Sequence, residues 1–279
     1  MRLVHTIAET REAIAEARRK GSAIGLIPTM GALHAGHVSL VEASRAREGC
    51  VAVSIFVNPT QFGPREDLAK YPRTLEADLA RCEAAGVDLV FAPSAEEMYP
   101  HGFATSIHVA EVTERLEGEF RPGHFDGVAT VVCKLLGIVQ PDRAYFGQKD
   151  YQQLAVVRRM AADLDLPVEI VGCPTVRESD GLALSSRNRY LSAEERAEAP
   201  ALYRALQVGA EVLRGGGSGE AAAARAKETL ASTPRFRVQY LETVAPDTLA
   251  PHPQAGLPAV LVAAAQLGPT RLLDNLVVQ

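Results

Sequence analysis

The chain has 279 residues, of which 47% are hydrophobic and 23% are charged, as in an ordinary globular protein. This composition excludes a disordered tail and a fibre. The formal net charge of −5 gives no overall attraction to nucleic acid or anionic membranes, so we expect neither as a partner. An anionic ligand would therefore need a local site. At this length, one larger domain and one smaller domain are expected.

Cysteine spacing and hydropathy indicate the cellular compartment. The four cysteines lack the close spacing of zinc sites and redox motifs, so we interpret them as buried thiols in a reducing cytosol. The longest uncharged stretch, from Gly21 to Val41, contains four glycines, a proline and two histidines, and is not expected to span a membrane. The N-terminus lacks the order of a secretory signal. The sequence predicts a cytoplasmic protein without a membrane segment.

Helical and strand patterns alternate through the first part of the chain. A helical pattern over 6–20 is followed by a short apolar run over 23–28, and a second helical pattern runs from about Leu33 to Arg47. Further strands are predicted over 50–57, 87–92, 143–146 and 168–173, and further helices over 73–85, 128–139 and 150–164. This alternation predicts an α/β fold with a doubly wound parallel sheet, in which ligands bind beyond the carboxyl ends of the strands.

The pattern changes after Cys173. Ser192 and Glu195 predict a capping box that begins one long helix to about Leu213, and a flexible GGGSG joint at 215–219 precedes a second helix to about Ser232. Two to three strands follow. Their predicted ranges are 236–244, 259–266 and 271–277. We therefore predict a smaller α+β C-terminal domain, with domain boundaries at 1–174 and 175–279.

The segment PTMGALHAGH, residues 28–37, lies at the first predicted strand-to-helix turn. Gly31 permits a tight turn and Gly36 allows close approach of a ligand, while a helix N-terminus offers free N–H groups to an anion. His34 and His37 are three apart and would share a helix face, where they could bind phosphate oxygens or neutralise a departing pyrophosphate. The alternative is that both histidines only cap the helix.

A second candidate segment is FGQKDYQQL, residues 146–154, at another strand end. The Lys149 ammonium could reach triphosphate oxygens, and Asp150 could cap the next helix or bind ribose hydroxyls. Gln153 is four residues beyond Lys149 and would lie on the same helical face, with a donor and an acceptor for an uncharged substrate hydroxyl. A solvated surface lysine is the alternative interpretation.

Three further segments contain candidate polar groups. Asn58 and Gln61, in FVNPTQFG, offer neutral amides, although they could equally be turn-forming residues next to a proline. In SSRN, residues 185–188, the planar fork of Arg187 suits phosphate oxygens. Arg121 and His124 precede a predicted helix, and a plain surface loop explains them nearly as well.

Several common nucleotide and hydrolase motifs do not occur in the sequence. It contains no G-x-x-x-x-G-K-[ST] loop, no G-x-S-x-G elbow and no G-x-G-x-x-G after a strand. P-loop hydrolysis, esterase chemistry and nicotinamide binding are therefore disfavoured. Histidines, lysine, arginine and amides include no obvious covalent nucleophile, so the pattern favours a reaction in which the substrate itself attacks.

Five segments in their order and spacing resemble the pantothenate synthetase (pantoate:beta-alanine ligase) family of the HxGH nucleotidyltransferase superfamily. They are PTMGALHAGH, FVNPTQFGPREDLAKYPRT, RPGHFDGVATVV, YFGQKDYQQL and DGLALSSRNRYLS. The resemblance implies a Rossmann-like domain for ATP and pantoate, a small C-terminal domain that closes over ATP, and a homodimer. It also implies condensation of pantoate with beta-alanine, within vitamin B5 and coenzyme A biosynthesis. Mg²⁺ would be held mainly by the ATP phosphates, with no protein ligand assigned.

The resemblance also implies roles for individual residues. His34, His37 and Lys149 would be catalytic, with His37 as the proton donor; Gln61 and Gln153 would bind pantoate, and Gln61 would also bind beta-alanine. The ATP-binding residues would be Met30, Gly31, Ala32, Leu33, His34, Ala35, Gly36, His37, Gly147, Gln148, Lys149, Asp150, Val176, Leu184, Ser185, Ser186 and Arg187.

The sequence departs from the family pattern at two positions, and other nucleotide-binding functions are alternatives to the ligase reaction. Leu184 replaces a common methionine, which is a conservative apolar change, and Ala69 replaces a common acidic residue. A pantetheine-phosphate adenylyltransferase or a cytidylyltransferase would share the HxGH turn but lack the paired amides Gln61 and Gln153. A non-catalytic nucleotide sensor would bind ATP without turnover.

Overall fold

The computed structural model describes residues 1–64, 66 and 68–279, and this part of the chain divides into two compact units. The first unit comprises residues 1–148 and 156–174, and the second comprises 149–155 and 175–279. This division differs from the predicted domain boundaries in one short segment, 149–155, which belongs to the second unit.

A six-stranded parallel sheet forms the centre of the first unit, with the order β1-β4-β3-β2-β5-β6. Its strands are β1 (Arg2–Val4), β2 (Ile24–Thr29), β3 (Cys50–Ile55), β4 (Leu89–Phe91), β5 (Arg143–Gly147) and β6 (Glu169–Cys173). The prediction of a doubly wound parallel sheet is confirmed. The three residues of β1 were not predicted, because so short a strand shows no periodicity.

The direction of winding reverses between β2 and β5. From β2 the chain proceeds to β3 and β4 on one side, whereas β5 and β6 lie on the other side. Such a reversal is a topological switch point, where the loops leaving two neighbouring strands separate and open a crevice for ligands. The loops that follow β2 and β5 are therefore the first places to look for a site.

Seven α-helices belong wholly or partly to the first unit as described. They are α1 (Ile7–Arg19), α2 (Ala35–Arg45), α3 (Leu75–Ala84), α4 (Ala95–Met98), α5 (Glu117–Phe120), α6 (His124–Val139) and α7 (Tyr151–Asp163). A capping box of Thr6 and Glu9 begins α1, and basic residues in its last turn favour its negative end. Helix α6 begins four residues earlier than predicted, at His124.

The core of the first unit is formed by the apolar sheet strands. Ile27, Val53, Val90 and Tyr145, from four neighbouring strands, are almost completely buried in one cluster. Continuous apolar strands of this kind suit a parallel sheet covered on both faces. This packing holds the strand ends rigidly, so that loops leaving them have defined starting points.

The second unit packs helices against a three-stranded antiparallel sheet, β7 (Phe236–Val244), β8 (Ala259–Leu267) and β9 (Thr270–Val278). The smaller α+β architecture is as predicted. The single helix predicted from 192 to 213 is wrong: the chain forms α8 (Ala193–Glu198) and α9 (Ala201–Arg214). Pro200 explains the break, because it has no N–H to continue the helical hydrogen bonds. Helix α10 (Gly219–Ala231) begins on the last glycine of the predicted joint.

Two expectations about the whole chain can be compared with the structure. Among the described residues, no helix combines the length and apolar character needed to cross a bilayer. The thiols of Cys50, Cys82 and Cys173 are buried, whereas Cys133 is partly exposed, and all four are free of disulfides in the described part of the chain. Burial raises the pKa of Cys50 and of Cys82 to about 11, so neither is a reactive thiolate near neutral pH.

Candidate active site

The turn between β2 and α2 is held by a buried carboxylate. Gly31 and Ala32 both have positive φ, 81° and 50°. Asp78, from α3, accepts the backbone N–H of Ala32 at 2.9 Å and that of Leu33 at 2.7 Å, and it also accepts the Thr74 hydroxyl. Only 2% of Asp78 is exposed. This carboxylate therefore fixes a turn conformation that L-residues rarely adopt.

His34 and His37 cap the start of α2 with their rings. The Nδ1 of His34 accepts the Gly36 N–H at 3.1 Å, and the Nδ1 of His37 accepts the His34 N–H at 3.2 Å. A nitrogen that accepts a hydrogen bond carries no proton, so the neutral rings are protonated at Nε2. The ring centroids are 4.2 Å apart. The two imidazoles are therefore adjacent, and both are oriented through Nδ1.

The prediction of free backbone donors at this helix start is wrong. The N–H groups of five residues are already bound within the protein, to the Thr29 hydroxyl, to Asp78 or to the two rings. These residues are Gly31, Ala32, Leu33, His34 and Gly36. His34 precedes α2 as its N-cap, so capping, and not a shared helical face, brings the rings together. The capping alternative and a ligand role are compatible, because capping uses Nδ1 and leaves the proton on Nε2.

The amide of Gln61 lies beside this turn with a defined orientation. Asn58 Oδ1 accepts the Thr60 N–H and the Tyr99 hydroxyl, so the Nδ2 of Asn58 points to the Oε1 of Gln61, 3.1 Å away. The Nε2 of Gln61 then faces the sulfur of Met30 at 3.0 Å. Two residues predicted from separate segments, Gln61 and Met30, are therefore brought together.

His124 supports the backbone of Gln61 from behind. Its Nδ1 lies 2.8 Å from the Gln61 carbonyl oxygen, and its Nε2 lies 3.0 Å from a guanidinium nitrogen of Arg121. Arg121 makes two hydrogen bonds of 2.8 and 2.7 Å to Glu66. Burial, assisted by the Arg121 charge, lowers the pKa of His124 to about 4, so the ring is neutral near pH 7. The surface-loop interpretation of His124 is wrong.

Gly147 ends β5 at the sheet switch point, and Gln148 follows it. Gly25 and Leu26 of β2 pair with Arg143 and Ala144 of β5 in parallel. Parallel neighbours end at the same edge of a sheet, so the segment after β5 leaves next to the turn after β2. Both segments were assigned to ATP by resemblance, and both occupy the switch point.

In the second unit, Lys149 is held through its backbone. Its carbonyl oxygen accepts the side-chain Nδ2 of Asn275 at 2.8 Å, and its ammonium lies 3.4 Å from Asp150 Oδ1. Lys149 lies in a 3₁₀ turn that leads directly into α7, so the segment from Lys149 to Gln153 is not one regular α-helix. No local pattern in the sequence identified Asn275, which is 126 positions from Lys149.

Val176 and Leu184 to Arg187 are neighbours within the second unit. The Leu184 N–H donates to the Val176 carbonyl at 3.0 Å, and Ser185 Oγ accepts the Arg187 N–H at 3.3 Å. Ser186 begins the 3₁₀ turn that Ser185 caps. Two segments that were predicted separately for the nucleotide therefore form one small structural element.

A buried ion pair supports this element. Arg177 bonds Asp274 at 2.7 and 2.9 Å, donates to the Gly181 carbonyl and stacks over the Tyr203 ring at 3.6 Å. Asp274 is adjacent in β9 to Asn275, which holds Lys149. The second unit thus supports both of its predicted ATP-binding segments from one strand.

The described residues offer no group of three or more His, Cys, Asp or Glu side chains that could hold a metal. Asp78 is the acidic side chain that bonds the histidine turn, and three donors already bind its carboxylate. A divalent cation in this turn would have to compete with those donors.

A doubly wound sheet with a crevice at its switch point is typical of nucleotide-binding α/β proteins. The model of the pantoate-beta-alanine ligase family matches residues 2–277. The chain is also similar to a pantothenate synthetase from Moorella thermoacetica, 53% identical over all of this chain and 99% of that protein. The chain belongs to the pantoate-beta-alanine ligase family.

Solved structures agree with this assignment. A pantothenate synthetase from Thermus thermophilus is 55% identical, with a TM-score of 0.95 over 99% of both chains. A pantoate-beta-alanine ligase from Francisella tularensis, in complex with beta-gamma ATP and beta-alanine, is 34% identical. Its TM-score is 0.80, over 99% of this chain and 97% of that one. The two-sheet fold of this chain is therefore the fold of the family.

Proposed function

We propose that this ATP-dependent ligase joins pantoate to beta-alanine in two steps. The pantoate carboxylate attacks the α-phosphorus of ATP, and the bond to the departing pyrophosphate breaks. The uncharged amine of beta-alanine then attacks the carbonyl carbon of the pantoyl adenylate, and AMP leaves. Membership of the family supports the reaction, and the Francisella relative with beta-gamma ATP and beta-alanine supports two of its substrates.

The observation that carries the proposal is the pair of imidazole rings of His34 and His37, whose centroids lie 4.2 Å apart and whose Nδ1 atoms cap the start of α2 at the sheet switch point. Bringing a carboxylate to a polyanion is electrostatically unfavourable by several kcal/mol at an intermediate dielectric, about 20. Fixed donors can offset this repulsion without reorganising during the reaction. We assign His37 as the proton donor and His34 as a second phosphate ligand, with Lys149 binding phosphate oxygens through its charge.

The remaining roles are proposed residue by residue. Gln61 and Gln153 bind pantoate through neutral amides, and Gln61 also contacts beta-alanine. The orientation of the Gln61 amide supports its role, since Asn58 fixes which end donates. The nucleotide is bound by the other residues of 30–37, together with Gly147, Gln148, Asp150, Val176, Leu184, Ser185, Ser186 and Arg187.

The cofactor, assembly and compartment are also proposals. We propose that Mg²⁺ enters with ATP, held mainly by the phosphates, because the acidic group that bonds the histidine turn is engaged by backbone donors. We propose a homodimer in the cytoplasm, with residues 1–174 binding ATP and pantoate and 175–279 forming the smaller domain. Sedimentation of the purified protein tests the dimer.

The decisive assay follows the products. Purified protein with ATP, Mg²⁺, pantoate and beta-alanine should release AMP and pyrophosphate in equal amounts. Without beta-alanine, it should still catalyse pantoate-dependent exchange of pyrophosphate into ATP. An adenylyltransferase or cytidylyltransferase would release no free AMP, and a nucleotide sensor would release no pyrophosphate. Either result would reject the ligase reaction.

A further inference from the structure

Three side chains, linked in series by hydrogen bonds, hold the main chain of Gln61. The Gln61 carbonyl accepts a hydrogen bond from Nδ1 of His124, and Nε2 of His124 faces Arg121. Arg121 in turn donates a hydrogen bond to each carboxylate oxygen of Glu66. We call these three residues, His124, Arg121 and Glu66, the Gln61 support.

The chemistry of its two neighbours determines the tautomer of His124. A carbonyl oxygen can only accept a hydrogen bond, so Nδ1 must carry the proton. A guanidinium can only donate, so Nε2 must be unprotonated. His124 is therefore held as the Nδ1–H form, and a protonated ring would place two donors against each other. The residue is 8% exposed, which leaves little water to compensate for a wrong tautomer.

The turn that carries Gln61 also packs tightly on helix α6. A Cβ at Gly127 would lie 2.4 Å from the Thr60 carbonyl oxygen and 2.7 Å from the Gln61 Cα, both backbone atoms. The Gly127 carbonyl also accepts the side-chain N–H of Asn58. Helix α6 thus fixes the Gln61 backbone through His124 and the Gln61 amide through Asn58.

A purely structural role would not require this chemistry. Apolar side chains could fill the space behind the turn, whereas burying an arginine and a carboxylate carries a desolvation cost. Hydrogen bonds add directional control, which matters where an amide must present its donor and acceptor in fixed positions. The charge of Arg121 is balanced locally, since its hydrogen bonds to Glu66 lower the pKa of that carboxyl against the opposing effect of burial.

We propose that His124 is a positioning residue for Gln61, acting as an Nδ1–H donor fixed by Arg121 and Glu66, and that it sets affinity for the organic acid substrate. The proposal rests on the role of Gln61 in the proposed function. In this role His124 does not contact the reacting atoms. Its effect reaches the substrate only through the position of the Gln61 amide.

The test compares two isosteres of the histidine. Asparagine places an amide N–H near the position of Nδ1, whereas glutamine places its amide near Nε2. We expect His124→Gln to raise the KM for pantoate about tenfold, the value of roughly one hydrogen bond. His124→Asn should retain most of the pantoate affinity. Neither variant should change the KM for ATP more than about twofold.

Matched variants separate positioning from general damage. Gly127→Ala, which must displace the backbone at Thr60 and Gln61, should reproduce the pantoate effect of His124→Gln. His101→Gln removes an exposed histidine of the same unit and should have no effect. Circular dichroism and thermal melting of each variant identify any that fail to fold. Equal losses for pantoate and ATP, or equal values for the asparagine and glutamine variants, would overturn the proposal.

A second readout is independent of activity. Nitrogen-15 NMR of the wild-type imidazoles should show a protonated Nδ1 and an unprotonated Nε2 for His124 at pH 7. His124→Gln supplies the assignment, because one set of ring signals disappears. The opposite tautomer would contradict the inference even if the ligase assay succeeds, whereas absence of AMP release would reject the proposed function and leave the tautomer test valid.

Discussion

Two histidine sites in the first unit use the same side chain in opposite tautomers. At the start of α2, His34 and His37 accept backbone N–H groups at Nδ1, and their protons lie on Nε2. Behind Gln61, His124 donates from Nδ1 to a carbonyl and accepts at Nε2. One pair of rings caps a helix, and the other ring supports the carbonyl of a neighbouring segment.

In both places the role of the histidine follows from the backbone group that its Nδ1 contacts. A backbone N–H acts as a donor and directs the ring proton to Nε2, whereas a backbone carbonyl directs it to Nδ1. Residue identity alone does not distinguish these cases. The HxGH spacing indicated the first site, but the second was obscured because the carbonyl that His124 binds, that of Gln61, is 63 positions away.

The largest expected effect is a loss of reaction rate on substituting His37, at the start of α2. His37→Ala should slow adenylate formation roughly 10²–10³-fold, the typical loss for one fixed donor. His37→Asn should lose as much rate while keeping a capping acceptor near the Nδ1 position. Pantoate-dependent pyrophosphate exchange measures the rate, and thermal melting measures the cap. An unchanged exchange rate in both variants would remove His37 from the chemistry.

For the Gln61 support, the expected effect is a pH dependence of the free energy of unfolding, which comes from His124. The pKa of His124 is about 4 in the folded chain and about 6.5 when unfolded, so the unfolded chain binds more protons between these values. The contribution to the free energy of unfolding is therefore complete above pH 6.5 and is lost towards pH 4. The loss is about 3 kcal/mol.

Chemical denaturation at a series of pH values measures this loss. His124→Asn cannot titrate, so the variant should show a flatter profile between pH 6.5 and 4 than the wild type. The titrating carboxylates are common to both proteins and cancel in the difference. Parallel profiles would mean that the ring is not held neutral in the folded chain.

The positions of the His34 and His37 rings should depend on Asp78, which holds the turn before α2. Asp78→Asn keeps one acceptor but places an amide against a backbone N–H, which should cost about 1–3 kcal/mol of stability. Displacement of the turn should also slow pyrophosphate exchange, whereas Glu76→Gln, exposed on the same helix, should alter neither property. Full exchange activity in Asp78→Asn would show that the rings keep their positions without the carboxylate.

The smallest effect is expected in the second unit. Asn275→Ala removes the donor to the Lys149 carbonyl and should raise the KM for ATP about fivefold, equivalent to about 1 kcal/mol. Asn275→Leu, an apolar side chain of similar size that also cannot donate there, should behave alike. A variant with wild-type ATP kinetics would show that Lys149 needs no backbone support from β9.

The sequence predicted much of the fold because its signals are local. The helical spacing of apolar residues indicated α1, short apolar runs indicated β2 and β3, and strand-helix alternation indicated the parallel sheet. Pro200 was overlooked, so one helix was predicted where two exist. The short β1 had too few residues to show a period. These differences come from single residues and short segments within an otherwise regular pattern.

The candidate site was predictable only in part. The HxGH turn and the residues after β5 lie at the switch point that the sheet topology implies. The backbone donors expected at α2 are occupied by Asp78 and by the rings, and Lys149 lies in a 3₁₀ turn before the α-helix that contains Gln153. Asp78, His124 and Asn275 act on residues 45 to 126 positions away. Such distant hydrogen bonds leave no local pattern.

The amino-acid order by itself determined most of the strands and helices, the family and the residues that can carry charge or donate hydrogen bonds, because these depend on neighbours within a few positions. Only the tertiary structure decided which atoms are available. A ring nitrogen or an N–H group can be used by a ligand only when no other part of the fold already binds it, and that depends on contacts between distant segments.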